Sequence, residues 1–188
     1  MAVNKKIYTT RLKLRPFVPA DLTGLRAIVE NKEIAEMASF RVATNAFESD
    51  YFLQQLMQPN IWAMTLKQTS EVIGSIGLYP VVGDNHERDP LKLELGYMVN
   101  QDFWGYGYMT EAVQSILNHS FHENYAYVVL ASTYAENKRS AAILEHLSFK
   151  KVGEHTLPAS VLNPVSRQEN FYQLTAQAFI EGGHYATH

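Results

Sequence analysis

The heptapeptide Trp104–Thr110, WGYGYMT, places Gly105 and Gly107 just ahead of a run in which Met109, Ala112, Val113, Ile116, Leu117 and Ser120 recur at helical spacing. Glycine lets backbone come close to a ligand. A helix start offers unpaired N–H groups and the positive end of a dipole. Strand, glycine loop and helix in that order suit a phosphate, although a single G-x-G also fits a tight turn without any ligand. Ahead of the loop stands Glu94, on the strand face opposite Leu93 and Leu95. A carboxylate among apolar neighbours has a raised pKa and can take a proton, directly or through water. An exposed or hydrogen-bonded Glu on a sheet face fits the same position. Beyond the loop, Asn137 and Ser140 lie one helical turn apart. Asn137 immediately precedes a helical segment, where capping is the default role of Asn.

Other chemistries fail on named residues. A P-loop requires Gly-Lys-Ser/Thr, which is absent. The dinucleotide fingerprint has its first two glycines in Gly105 and Gly107, but Thr110 stands at the third. The next strand, expected over Tyr125–Ala131, runs into Ser132 and Thr133 with no carboxylate for a ribose. Ile73-Gly74-Ser75-Ile76-Gly77 has the wrong register for a hydrolase elbow. His119 and His122 have metal-ligand spacing, yet with only Glu123 beside them a solvated helix end is the better reading, and no metal site is expected. His86 falls in a polar loop at the mouth of a possible acceptor site; His184 and His188 fall in the tail.

Composition narrows the class. The 188 residues, 46% hydrophobic and 19% charged, suit one soluble domain with a sizeable core. A net charge of −3 gives no basic field for nucleic acid, so no direct nucleic-acid partner is expected. There is no cysteine, hence no disulfide, thiolate nucleophile or cysteine–zinc site; this fits a reducing cytosol, and a cytoplasmic location is expected. No apolar h-region follows Lys5 and Lys6, and no apolar run approaches about 18 residues, so neither a signal peptide nor a membrane partner is expected.

The elements that must position these residues follow from period. Leu91, Leu93, Leu95, Tyr97 and Val99 alternate with Lys92, Glu94 and Met98, which predicts a strand. A half-buried strand is predicted over Ile7–Arg15, ended by Pro16 and Pro19, with Asp21 at the start of a helix through Leu22, Leu25, Ile28 and Val29. Ala38–Thr44 reads as loop, Phe47–Leu56 as a second helix, and Ile61–Leu66 and Val72–Tyr79 as strands. Gly83–Pro90 reads as an exposed loop, Lys138–Leu147 as a helix, and Phe149–Val152 and Phe171–Leu174 as strands. One domain over residues 1–181, with a flexible tail from 182 to 188, is expected. The class is mixed α/β around one sheet.

Four segments carry a family resemblance. MVNQDFWGYGYMTEAV resembles the acetyl-CoA loop of the GNAT acetyltransferases, in particular the branch of RimJ/RimL ribosomal-protein N-acetyltransferases, whose loops read like WGKGYATEA. YTTRLKLRPFVPAD (Tyr8–Asp21) resembles that branch's opening T-x-R-L-x-L-R-P-x-x-x-x-D. EVIGSIGL (Glu71–Leu78) resembles its central hairpin strand, and AENKRSAAILEHLSFKKVG (Ala135–Gly153) its E-N-x-x-S…L-x-x-x-G-F-x-x-x-G segment. The order and spacing agree across most of the chain.

The resemblance implies a GNAT fold: a mixed, mostly antiparallel sheet splayed at the cofactor site, with helices on both faces. It implies transfer of acetyl from acetyl-CoA to a primary amine, without a metal. The amides of Gly105, Tyr106, Gly107, Tyr108, Met109 and Thr110 would cradle the pyrophosphate, and the strand end at Met98 and Val99 would pair with the pantetheine arm. In the family pattern Q/R-x-x-G-x-G/A, Trp104, Gly107 and Met109 hold the defining positions, so the bulk of Met109 must turn away from the phosphate. The resemblance makes Glu94 the proton acceptor, brings Asn137 to the cofactor arm, and makes Ser140 the donor to the leaving sulfur. Leu144 stands where other branches carry a Tyr, and Ser148 where they carry the Gly of L-G-F. The acceptor implied is a protein N-terminal amine; a small amine or antibiotic, or a non-catalytic acyl-CoA sensor, are the alternatives. Phe40, Phe47, Tyr51, Phe52 and Trp62 could line its cleft, and a homodimer would complete the groove.

Overall fold

The computed structural model describes residues 5–82, 88–123, 125–159 and 165–184. Its strands are β1 (Ile7–Tyr8), β2 (Leu12–Arg15), β3 (Ile61–Leu66), β4 (Val72–Val82), β5 (Arg88–Val99), β6 (Val128–Tyr134), β7 (Lys150–Leu157) and β8 (Arg167–Thr175). Its helices are α1 (Leu22–Val29), α2 (Lys32–Met37), α3 (Ala46–Leu56), α4 (Tyr108–His122), α5 (Lys138–His146) and α6 (Ala176–Glu181). The strands form one sheet in the order β1-β2-β3-β4-β5-β6-β8-β7, with β5 and β6 parallel and the pairs β1–β2, β2–β3, β3–β4, β6–β8 and β7–β8 antiparallel. No helix of the described residues is long and apolar enough to cross a membrane.

Contacts define two compact units, Met1–Tyr79 with Gly96–Leu117, and Pro80–Leu95 with Asn118–His188. In the first, Phe17, Leu25, Val29, Leu53, Ile61 and Val72 belong to one buried cluster. The side-chain oxygens of Asn31 and Asn45 cap α2 and α3. The strand expected over Ile7–Arg15 is instead a hairpin of β1 and β2, because the Thr9 amide donates to the Leu12 carbonyl at 3.0 Å and Thr9 Oγ1 accepts from the Leu12 amide at 2.8 Å, closing a turn that alternation alone does not reveal. Asp21 does not cap α1. Its carboxylate takes both Nη1 and Nη2 of Arg15 at 2.7 Å and the Val18 amide at 2.9 Å. In β5 Leu93 and Leu95 are buried, and Met98, on the other side of the predicted alternation, packs against the buried cluster.

In the second unit, β6 begins three residues later than predicted and runs through Thr133 to Tyr134, because its pairing with β8 continues to Tyr134↔Glu169. Arg88–Pro90 belong to β5 rather than to a loop; positions 83–87 and with them His86 lie outside the described residues, as does His188. His119 is half-buried rather than fully solvated, its ring packed edge-on against Tyr125 with Nε2 out of reach of solvent, while His122 is exposed. Gly182, Gly183 and His184 donate their amides back to Ala178, Ile180 and Phe179, so the chain closes onto α6 there.

Ser148, where the family pattern has glycine, follows α5 at φ +69°, the left-handed region that favours glycine after a helix. Ser148→Gly is therefore expected to stabilise the fold by about 1 kcal/mol, read as an upward shift of the urea midpoint. A lower midpoint would mean that the hydroxyl contributes more than the backbone strain removes.

Candidate active site

The glycine loop is built in the first unit. Gly105 and Gly107 have φ of +82° and +76°, conformations that glycine adopts without a Cβ penalty. A Cβ at Gly105 would meet nothing within 4 Å, and one at Gly107 only Arg11 Nη2 at 3.6 Å, so this backbone is bare. The first hydrogen bond closing α4 runs from the Glu111 amide to the Gly107 carbonyl at 3.1 Å. The six amides of residues 105–110 lie ahead of that ladder, and none donates to a partner among the described residues. A helix start with that many free N–H groups and a positive dipole end fits an anion such as a phosphate. Met109 is buried, so its bulk turns into the core, away from the exposed loop backbone.

The strand end beside this loop is held by backbone. Trp104 donates Nε1 to the Val99 carbonyl at 3.0 Å, and the Asn100 amide donates to Ile73 at 2.8 Å. Gly74 is required here: a Cβ would come within 2.6 Å of the Met98 carbonyl oxygen. The sequence-predicted contacts Met98, Val99 and Trp104–Thr110 are thus brought together in one unit.

A charged clamp ties the loop to the β1–β2 turn. Glu111, in the first turn of α4, accepts from the Arg11 amide at 2.7 Å, from Arg11 Nε at 2.7 Å and from the Thr9 hydroxyl. Arg11 Nη1 donates to the Tyr106 carbonyl at 2.8 Å, and the guanidinium lies 4.4 Å from the Tyr108 ring centre. Burial alone would push the Glu111 carboxyl up. The hydrogen bonds from Thr9 and Arg11 outweigh it and hold the carboxyl below its ordinary range.

In the second unit, Glu94 pairs in register with Leu130 of β6, at the last of three recorded parallel pairs, Lys92↔Val128, Leu93↔Val129 and Glu94↔Leu130. Its side chain reaches solvent, yet the surrounding protein removes enough water to push the carboxyl above its ordinary range, and the Glu169 carboxylate pushes it further. Asn137 Oδ1 accepts from the Ser140 amide at 3.1 Å, so Asn137 is the cap of α5 and Ser140 lies in its first turn. These two are brought together by that cap.

A family model for the acetyltransferase (GNAT) domain matches residues 11–150. The chain belongs to the GNAT acetyltransferases. It is 28% identical over 153 residues to p20, an uncharacterized N-acetyltransferase of Bacillus licheniformis, covering 78% of this chain and 83% of p20. Among solved structures, a GNAT-family acetyltransferase from Bacillus anthracis aligns with a TM-score of 0.79 at 18% identity, over 92% of this chain and 99% of that one. RimL, the ribosomal L7/L12 α-N-protein acetyltransferase, in complex with coenzyme A, aligns with a TM-score of 0.76 at 16% identity, over 93% of this chain and 99% of that one. At these identities the structural likeness speaks for the fold, and the GNAT fold with its eight-stranded sheet agrees with the expected class.

GNAT membership makes the chain an acyltransferase, and the loop residues are those in which the sequence shows the pattern. Arg11 and Glu111 were not among the sequence-predicted site residues of this GNAT chain. They are 100 positions apart, and a long-range ion pair leaves no periodic trace. Of the aromatics expected at the acceptor cleft, Trp62 is only 3% exposed and donates Nε1 to the Lys5 carbonyl, so it is a core residue. Phe40 packs edge-on against Phe52 beside the buried cluster, while Phe47 and Tyr51 on α3 are exposed.

Proposed function

We propose that the chain moves acetyl directly from acetyl-CoA to a primary amine. The observation that carries this reading is the run of undonated amides at residues 105–110, which suits the cofactor's pyrophosphate. Met98 and Val99 offer backbone to the pantetheine arm, and Asn137 is the side chain we assign to the cofactor arm. The amine nitrogen attacks the thioester carbonyl carbon, a C–N bond forms and the C–S bond breaks. The amine's proton passes to Glu94, directly or through water, and the raised pKa of Glu94 makes it a stronger proton acceptor than an ordinary carboxylate. Ser140 gives its hydroxyl proton to the departing thiolate and regains one from water. Much of the rate comes from holding thioester and amine together.

The acceptor we favour is the N-terminal amine of a protein, by likeness to RimL. Isothermal calorimetry with acetyl-CoA, with NADH and ATP as controls, followed by release of CoA in the presence of peptide or small-molecule amines, tests both levels. Saturable binding of acetyl-CoA alone, with release driven by peptides free at their N-terminus, is expected. Release driven only by small amines would replace the acceptor class, and no binding would remove the reading. Ser140→Ala is expected to lower turnover by about a hundredfold, the lower end of the range for one positioned proton donor, while acetyl-CoA affinity changes little. An unchanged rate would take Ser140 out of the mechanism.

A further inference from the structure

The two glycines make the loop backbone adaptable, so something outside the loop must fix it. The peptide between Tyr106 and Gly107 has an external tie: its carbonyl accepts from Arg11 Nη1 at 2.8 Å. No peptide bond among the described residues is cis, and in a trans peptide the C=O and N–H point in opposite directions. Holding the carbonyl toward Arg11 therefore turns the Gly107 amide to the opposite face, where it donates to nothing among the described residues. Arg11 is itself fixed at several points. Its amide and Nε are held by Glu111, and Tyr108 lies under the guanidinium. Nη2 has no hydrogen-bond partner among the described residues and stands nearest the space above Gly107. The ion pair also cancels the charge that Glu111 would otherwise set in the first turn of α4, where an arriving phosphate would be repelled.

We propose that Arg11 is a positioning residue of the cofactor loop, holding the Tyr106–Gly107 peptide in the orientation that presents the Gly107 amide to a phosphate of the cofactor. This rests on the reading of residues 105–110 as the pyrophosphate site. Lysine keeps the charge but cannot reproduce a planar fork that serves Glu111 and Tyr106 at once.

The sequence contains one Tyr–Gly step, Tyr106–Gly107, among its 10 glycines. Carbonyl-13C tyrosine with 15N-glycine labelling therefore isolates this peptide in a spectrum, and the other nine glycine amides report whether the fold is intact. In the free Arg11→Met protein the Gly107 amide signal is expected to move or broaden while signals far from the loop stay in place. The calorimetric Kd for acetyl-CoA should rise about tenfold or more, the scale of one hydrogen bond to a charged group. Arg11→Lys should stay close to Arg11→Met. An unmoved Gly107 signal in the free variant, or wild-type affinity in Arg11→Lys, overturns the positioning role. Wild-type protein that fails to bind acetyl-CoA overturns the functional reading instead, and the Gly107 signal of the free proteins still decides what Arg11 does.

Discussion

Gly107→Val is expected to abolish measurable acetyl-CoA binding while leaving a folded protein. At φ +76° a residue with a Cβ is disfavoured by about 1–2 kcal/mol, and a β-branched one is a genuine outlier there. The surrounding protein does not object, since only Arg11 Nη2 lies within 4 Å of the added atom. The strain is relieved most cheaply by rotating the Tyr106–Gly107 peptide, which costs the Arg11 hydrogen bond and re-aims the amide. If the peptide instead stays in place, the valine methyls occupy bare backbone that a phosphate must approach. Calorimetry measures the first consequence, and a thermal scan checks that the fold survives. Unchanged affinity would remove this loop as the cofactor site.

Glu94→Gln is expected to lower the acetylation rate by about a hundredfold to ten-thousandfold, the range for a positioned general base, with acetyl-CoA affinity nearly unaltered. The effect has a pH signature whose sign follows from the shift. Burial, and then Glu169, raises the Glu94 pKa, and the carboxylate is the active form. The wild-type rate should therefore fall as pH drops through a value above the ordinary carboxylate range, and the variant should lack that limb. Stability moves the other way. The folded chain holds this proton more tightly than the unfolded chain does, so the contribution of Glu94 to stability is lost as pH rises through the same interval. A variant whose pH–rate profile matches that of the parent would show that Glu94 is not the base.

How far the sequence could be read depended on whether a feature is periodic or local. Met109, Ala112, Val113, Ile116, Leu117 and Ser120 were legible as one helix face and are all buried. The glycines of the loop were legible because few other residues tolerate their backbone. Asn137 as a cap was legible because capping is a matter of four consecutive positions, 137–140. The split of Ile7–Arg15 into a hairpin was not legible. A turn closed by the Thr9 hydroxyl leaves the alternation on either side in phase. Nor was α2 read as a separate helix, since six residues give too short a window for a period. That the side of Met98 is covered as well was not legible, since the cluster it packs on comes from segments distant in sequence. Arg11 and Glu111 each stand in a segment that resembles the family, but nothing in either segment shows that the two residues meet.

That clamp also bears on the order in which the molecule assembles. The Thr9–Glu111 contact spans 102 residues, and bringing ends that far apart together costs about 4 kcal/mol in chain entropy before any contact repays it. A long-range contact of this kind is expected to form late, after the local hairpin of β1 and β2 and the local ladder of α4. The backbone that receives the cofactor is then among the last parts of the chain to reach its native form. An interaction absent from the transition state acts on the unfolding rate rather than on the folding rate. Bound acetyl-CoA would accordingly act as a kinetic lock, prolonging the life of the folded state without hastening its arrival.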